Sequence, residues 1–280
     1  MQGIINVIKP AGVTSQQAVS FVKHKFNEKK VGHLGTLDPS GTGVLPICIG
    51  KATRLFDYYL LKDKVYRAVF VFGKETDTLD SDGKVVNISS KIPTLEEINQ
   101  VLPSFVGEIN QIPPNYSRKC VNGKRAYELA RKDEDFKLQP KLITIYNIKV
   151  VNQISENAFL FEIHCSSGTY VRSIVRDIAY KLNTLGYMGA IIRLKSGNFL
   201  IDNAVLLENI SPNDVIDLED CLNDFEKVIV NDNWYDKLIN GALVKVDLCD
   251  KQNVALYCKN QLLGIANIDN GIVKIKTNLR

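Results

Sequence analysis

Residues 32–46 read GHLGTLDPSGTGVLP, with four glycines, two prolines, one histidine and one carboxylate in fifteen positions. Gly32, His33, Gly35, Thr36, Asp38, Ser40, Gly41 and Thr42 leave almost no bulky side chain to pack around Asp38. Such a loop lets a large ligand approach the backbone closely. Two readings stand side by side. Asp38-Pro39 can start a turn whose carboxylate accepts its own backbone N–H groups. Alternatively Asp38 is a nucleophile or a base, which needs a cationic partner to stay ionised once covered.

Rival chemistries fit poorly. A phosphate-binding P-loop needs GxxxxGK followed by Ser or Thr. Here six residues separate Gly43 from Gly50-Lys51, and Ala52 follows. A calcium loop over TDTLDSDG, with Gly83 at its turn, would put Thr78 at the first ligand position and Ser89 at the last. Asp82-Gly83 reads better as a turn. The six cysteines, Cys48, Cys120, Cys165, Cys221, Cys249 and Cys258, form no CxxC or Cys/His cluster. No metal or cofactor is expected.

The chain has 280 residues, with 45% hydrophobic and 24% charged, the balance of a globular protein with a real core. No apolar run approaches a membrane helix, and MQGIINVIKP is not a signal peptide, so the expected compartment is cytoplasmic. The net charge is +4, but residues 201–250 hold twelve Asp/Glu against three Lys. The preceding two hundred residues hold 27 Lys/Arg against 18 Asp/Glu. A basic body and basic tail around an acidic segment point to a polyanion partner.

The elements that must position Asp38 follow from periodicity. IINVIKP reads as a strand stopped by proline, and TSQQAVSFVKHKF as a helix capped at Thr14 or Ser15. VYRAVFVFG, ITIYNIKVVNQI and AFLFEIHC read as strands, and TLEEINQVLP as a short helix. From Thr169, Val171, Ile174, Val175, Ile178, Ala179 and Leu182 mark an amphipathic helix stopped at Gly186, with Arg172 and Arg176 off its apolar stripe. From about residue 227 short β-like runs return, suggesting a small barrel and a boundary near 225.

These residues also carry a resemblance. GHLGTLDPSGTGVLPICIGKATRL resembles the catalytic signature of the TruB family of tRNA pseudouridine synthases. KPAGVTS, KVYRAVFVFGKETDTLDSDG, PPNYSRKCVNGKRAYELAR, CSSGTYVRSIVRDIA and RLKSGNF resemble further family blocks in order. NGALVKV and LLGIANIDNGIVK are similar to the small RNA-binding PUA barrel that ends these enzymes.

The resemblance implies an α/β fold of α+β type, with a mixed, largely antiparallel sheet, flanking helices and a PUA β-barrel. It implies domains 1–225 (catalytic) and 226–280 (RNA-binding). Asp38 falls on the catalytic aspartate, Arg172 on its arginine partner and Tyr66 on the tyrosine that stacks on the target base and is the candidate remover of the C5 proton. Tyr170 shares the Arg172 motif. His33 falls on the histidine that fills the gap left by the extruded nucleotide, and Lys9-Pro10 on a motif shaping the active-site floor.

One departure matters. The family's Leu-Arg-Arg reads Ile191-Ile192-Arg193 here, so Ile191 keeps an apolar contact to the base while one guanidinium is lost. Arg193 and Lys195 stay as cations for RNA phosphates, and residues 115–132, with six Lys/Arg and one Glu, are the other expected RNA-facing surface.

The implied reaction is isomerisation of the T-loop uridine at position 55 of tRNA, by base flipping, glycosidic cleavage and reattachment at C5. The implied partner is the tRNA T-arm, with no membrane, no guide RNA and a monomeric state. Two alternatives stay open: a guide-RNA-dependent synthase acting on ribosomal RNA, and a non-catalytic tRNA-binding or folding protein. The start of the chain almost at its first motif speaks against the former, and the intact Asp38, Tyr66 and Arg172 against the latter.

Overall fold

The computed structural model describes residues 1–117, 119–121, 123–132 and 134–280. The chain opens with β1 (Gly3–Lys9), α1 (Ser15–Lys25), β2 (Val31–His33) and β3 (Thr42–Ile49). Thr14 caps α1: its Oγ1 accepts the Gln17 N–H at 3.1 Å while Gln17 Oε1 accepts the Thr14 N–H. The helix lays Ala18, Val19 and Val22 over Ile5, Val7, Leu45 and Ile47. Ile4, Val44 and Cys48 enter a different core cluster. With both faces covered, β1 and β3 read as unbroken apolar runs rather than alternating ones.

Next come α2 (Phe56–Leu60), β4 (Lys64–Phe72) and a hairpin of β5 (Lys74–Thr76) and β6 (Val85–Ile88). The hairpin turns at Asp80 to Gly83, where the Gly83 N–H donates to the Asp80 carbonyl at 3.3 Å. α3 (Leu95–Val101) and β7 (Gly107–Gln111) lead into the basic stretch, which forms β8 (Cys120–Val121), β9 (Lys124–Arg125) and α4 (Ala126–Ala130). Arg118, one of its six cations, lies outside the described residues. β10 (Lys141–Ser155) and β11 (Ala158–Cys165) pair as a hairpin.

α5 (Val171–Lys181) ends earlier than Gly186, the stop its periodicity suggests. Asn183 takes the left-handed conformation (φ 55°) that breaks it, and Gly186 opens β12 (Gly186–Ser196). β13 (Phe199–Leu200), β14 (Val205–Leu206) and β15 (Val215–Asp217) complete the main sheet. Its order is β14-β1-β3-β12-β4-β11-β10-β7, with β13, β15 and β2 pairing to β12, β1 and β3. The pairings are antiparallel except β1 with β14 and β12 with β3, so the sheet is mixed and largely antiparallel.

One face of β4, β11 and β10 packs under α3 and α5 through Phe70, Phe72, Phe159, Phe161 and Ile174. The C-terminal elements are β16 (Lys227–Ile229), α6 (Tyr235–Ile239), β17 (Val244–Lys245), β18 (Lys251–Cys258), β19 (Gln261–Asp269) and β20 (Ile272–Asn278). They form a five-stranded sheet in the order β16-β18-β19-β20-β17. GALVKVD contributes less strand than its apolar residues suggest, only Val244 and Lys245.

Candidate active site

The loop between β2 and β3 carries Asp38, and three different elements hold it. Ser15, the first residue of α1, donates from Oγ to the Leu37 carbonyl and accepts the Leu37 N–H, both at 2.9 Å. Lys9, at the end of β1, is fully buried and donates from Nζ to the carbonyls of Pro10 (2.8 Å), Val13 (2.6 Å) and Pro39 (3.2 Å). Burial pushes its ammonium down to about 8, partly offset by the Asp38 charge.

Arg193, on β12, is 1% exposed and donates to the carbonyls of Val44 (2.7 Å), Thr36 (3.3 Å) and Gly35 (3.2 Å). β12 comes this close because Gly43 has no side chain: a Cβ there would lie 2.3 Å from the Arg193 carbonyl oxygen. The expectation of an RNA phosphate contact at Arg193 is therefore corrected. Its guanidinium is enclosed by protein and grips the loop that bears Asp38.

Asp38 meets α5 through Arg172, whose Nε lies 3.1 Å from Asp38 Oδ2. The Asp38 side chain is 38% exposed and that of Arg172 only 8%, so the cation sits below and the carboxylate faces the opening. A second carboxylate grips the same arginine: Arg172 Nη1 is 3.2 Å from Asp80 Oδ2. Arg172 also donates to the carbonyls of Thr78 (3.0 Å) and Tyr116 (3.2 Å). Thr78 Oγ1 and the Asp82 N–H both donate to Asp80 Oδ1. Burial raises the Asp80 pKa, with the Thr78 hydrogen bond and Arg172 pulling against it.

Sequence reasoning missed Asp80, treating TDTLDSDG as a calcium candidate and then a turn. Its one available signal was the family block that contains it. Ser15, read as a cap, was likewise missed as a support of the loop.

The other expected residues distribute around a cavity of about 640 Å³. Tyr66 lines it from β4, buried, next to Arg193 across the β4–β12 pairing. Burial raises its phenol pKa, which the Arg193 charge partly opposes. Ile191 lines the cavity and packs against Gly41, where an added Cβ would stand 3.1 Å from its Cγ2. Tyr170 also lines it, and its backbone is clamped by Gln111, which accepts the Tyr170 N–H at 2.8 Å and donates to its carbonyl at 3.1 Å.

His33 ends β2 opposite Ile47, and its Nδ1 accepts the Gly35 N–H at 3.3 Å. It flanks the cavity instead of lining it. Ile192 faces away from the cavity, because it pairs with exposed Arg67 while its neighbour Arg193 pairs with Tyr66. The arginine lost there is thus no loss to the cavity. From the basic stretch Tyr116, Ser117, Tyr127 and Arg131 reach the cavity wall. Among the described residues no three His, Cys, Asp or Glu side chains converge as a metal site.

A half-exposed carboxyl group, a buried arginine behind it and an aromatic wall make an enclosure for a flat polar ring beside a group that can attack or take a proton. Residues 23–171 match the TruB family pseudouridylate synthase N-terminal domain. The tRNA pseudouridine synthase B of Caldanaerobacter subterraneus subsp. tengcongensis is 38% identical, covering 99% of this chain and 92% of its own. That of Clostridium kluyveri is 41% identical, covering 99% and 96%.

Among solved structures, a Cbf5–Nop10–Gar1 complex matches with a TM-score of 0.74 at 25% identity, over 99% of this chain and 85% of that one. An H/ACA RNP bound to a substrate RNA containing 2′-deoxyuridine shares the fold, with a TM-score of 0.72 at 23% identity over 99% and 85%. With the family match spanning more than half the chain and the relatives nearly all of it, the chain belongs to the TruB family of pseudouridylate synthases.

Proposed function

We propose that the protein isomerises uridine to pseudouridine in the T-loop of tRNA, at position 55, as a stand-alone enzyme of the cytoplasm. The observation that carries the reading is the Asp38–Arg172 pair, 3.1 Å apart at the cavity that Tyr66 lines. Its support on the substrate side is the near full-length similarity to proteins named tRNA pseudouridine synthase B. Residues 1–225 act as the catalytic unit and 226–280 as an RNA-binding unit, working as a monomer without a guide RNA.

The target base must leave its stack to enter the cavity, which costs a few kcal/mol. Stacking on Tyr66 returns about 1–3 kcal/mol of that. His33, flanking the cavity, fills the gap in the RNA. Ile191 gives the base an apolar contact, and Tyr170 closes the wall near Arg172. Lys9 and Arg193 act at one remove, by fixing the loop.

Arg172 keeps Asp38 aimed, through charge-assisted hydrogen bonds that a lysine could not share between two carboxylates so well. Asp38 then acts on the nucleotide while the N1–C1′ bond breaks, the base turns and C5 rejoins C1′. Tyr66 is the proposed acceptor of the C5 proton; burial raises its phenol pKa, so it must first give up its own proton, which the nearby Arg193 charge favours.

Tritium release from a T-arm stem-loop RNA labelled at uridine C5 tests the reading. Wild type alone is expected to release the label, and Asp38→Asn to release none above background. Failure of wild type, with RNA binding demonstrated and no guide RNA present, would reject the stand-alone reading in favour of a guide-dependent or purely binding protein.

A further inference from the structure

Lys64 opens β4 two residues before Tyr66, and strand periodicity puts both side chains on one face of the sheet. Both line the cavity that Asp38 and Arg172 share. Lys64 is 5% exposed, and its Nζ donates to the carbonyls of Leu60 (2.9 Å) and Lys62. An ammonium has three N–H donors, so one is left for a ligand. Among the described residues Lys64 forms no ion pair. The adjacent carboxylate, Asp63, is engaged by His164 and Lys195.

A buried cation without a matched counter-charge is costly, and a site that keeps one is preorganised for negative charge that arrives later. Burial pushes Lys64 down to about 8; Arg193 and Lys141 add to the depression, while Cys165 and Asp63 oppose it.

The proposed reaction produces such a charge. When N1–C1′ breaks heterolytically, the bonding pair leaves with uracil, whose charge spreads over N1, O2 and O4. After the ring turns, its C5 supplies the pair for the C5–C1′ bond. Loss of the C5 proton and protonation of N1 then give neutral pseudouridine, with atoms and electrons conserved. We infer that Lys64 is a further catalytic residue, whose ammonium meets the edge of the flipped uracil and stabilises the negative charge it carries between cleavage and reattachment. This rests on the uridine isomerisation proposed above.

The test is single-turnover tritium release from the T-arm RNA by wild type, Lys64→Met and Lys64→Arg, with RNA affinity measured alongside. Inactive wild type would overturn the functional reading and this inference with it. With active wild type, Lys64→Met is expected to lose about a hundredfold in rate with nearly unchanged RNA affinity, the usual cost of deleting one preorganised donor.

The protonated lysine is the working form, so its contribution is present below about pH 8 and lost as pH rises through that value. Lys64→Arg, always charged, is expected to keep most of the rate and to move the alkaline decline upward. A Lys64→Met rate close to wild type overturns the inference while leaving the functional reading intact. So does a Lys64→Arg profile whose alkaline decline stays where wild type has it, and that result decides the matter even if Lys64→Met fails to fold.

Discussion

Asp38 and Asp80 share one arginine, but their positions divide the labour. Asp38 faces the cavity mouth, whereas Asp80 is buried behind Arg172 and bonded to Thr78 and the Asp82 N–H. Asp80 is thus a positioning residue: it fixes the guanidinium so that Nε meets Asp38. Asp80→Asn is expected to lower the rate of uridine isomerisation about tenfold to a hundredfold through misplacement of Arg172, with RNA affinity little changed. Stability should move the other way. Burial raises the Asp80 pKa, so the folded state holds that proton more tightly than the unfolded chain does. Its ionisation then costs stability above the folded value, and the cost disappears below the ordinary carboxylate range. At pH 7 the melting temperature of Asp80→Asn is expected at or above wild type's, with the gap closing in acid. A variant with an undiminished rate would remove Asp80 from the site. Nothing local in TDTLDSDG reveals this role, because Asp80 meets Arg172 only when the β5–β6 hairpin folds back beside α5. Asp38 was legible for the opposite reason: its loop declares itself by composition.

Three elements converge on the Asp38 loop, and the sequence disclosed their residues better than their roles. Arg193 read as a contact for RNA phosphates and Lys9 as part of the active-site floor, each from the motif that holds it. Their burial depends on pairings between segments far apart in the chain, β1 with β3 and β3 with β12, which no local pattern records. The strands themselves were legible from their apolar runs, and the period of two explains why Ile192 and Arg193 lie on opposite faces. Ser15 tests the elemental argument most cleanly, since its hydroxyl bonds the loop backbone at Leu37. Ser15→Ala strips partners from the buried Leu37 N–H and carbonyl, each worth about 1–3 kcal/mol when left unsatisfied. The variant is expected to lose stability on that scale in urea titration and, at temperatures where it stays folded, to turn over more slowly with little change in KM. A stability equal to wild type's would mean that the loop holds its shape without α1.

At the scale of the whole molecule, the composition shift near residue 225 suggests a division, yet the packing crosses it. Leu55, Tyr59 and Cys48 share one buried cluster with Ala255, Tyr257, Leu262, Ile265 and Leu279. Tyr58 packs edge-on against Phe225 at 5.7 Å and bonds through its hydroxyl to Thr277 Oγ1 at 3.0 Å, while Arg54 donates to the Asn278 carbonyl. This interface escaped the sequence because its aromatics sit on α2, a five-residue helix too short to show a periodic apolar face. A shared apolar core couples the two parts, since separating them exposes surface that each needs covered. The sole tryptophan, Trp234, packs against the core of the C-terminal sheet and reports on it alone. Far-UV circular dichroism reports on both sheets. In urea the two signals are expected to change together at one midpoint, as a two-state transition requires. A fluorescence transition completed at lower urea than the circular dichroism change would show the C-terminal sheet unfolding by itself, and the shared cluster would then be a contact between two independent folding units.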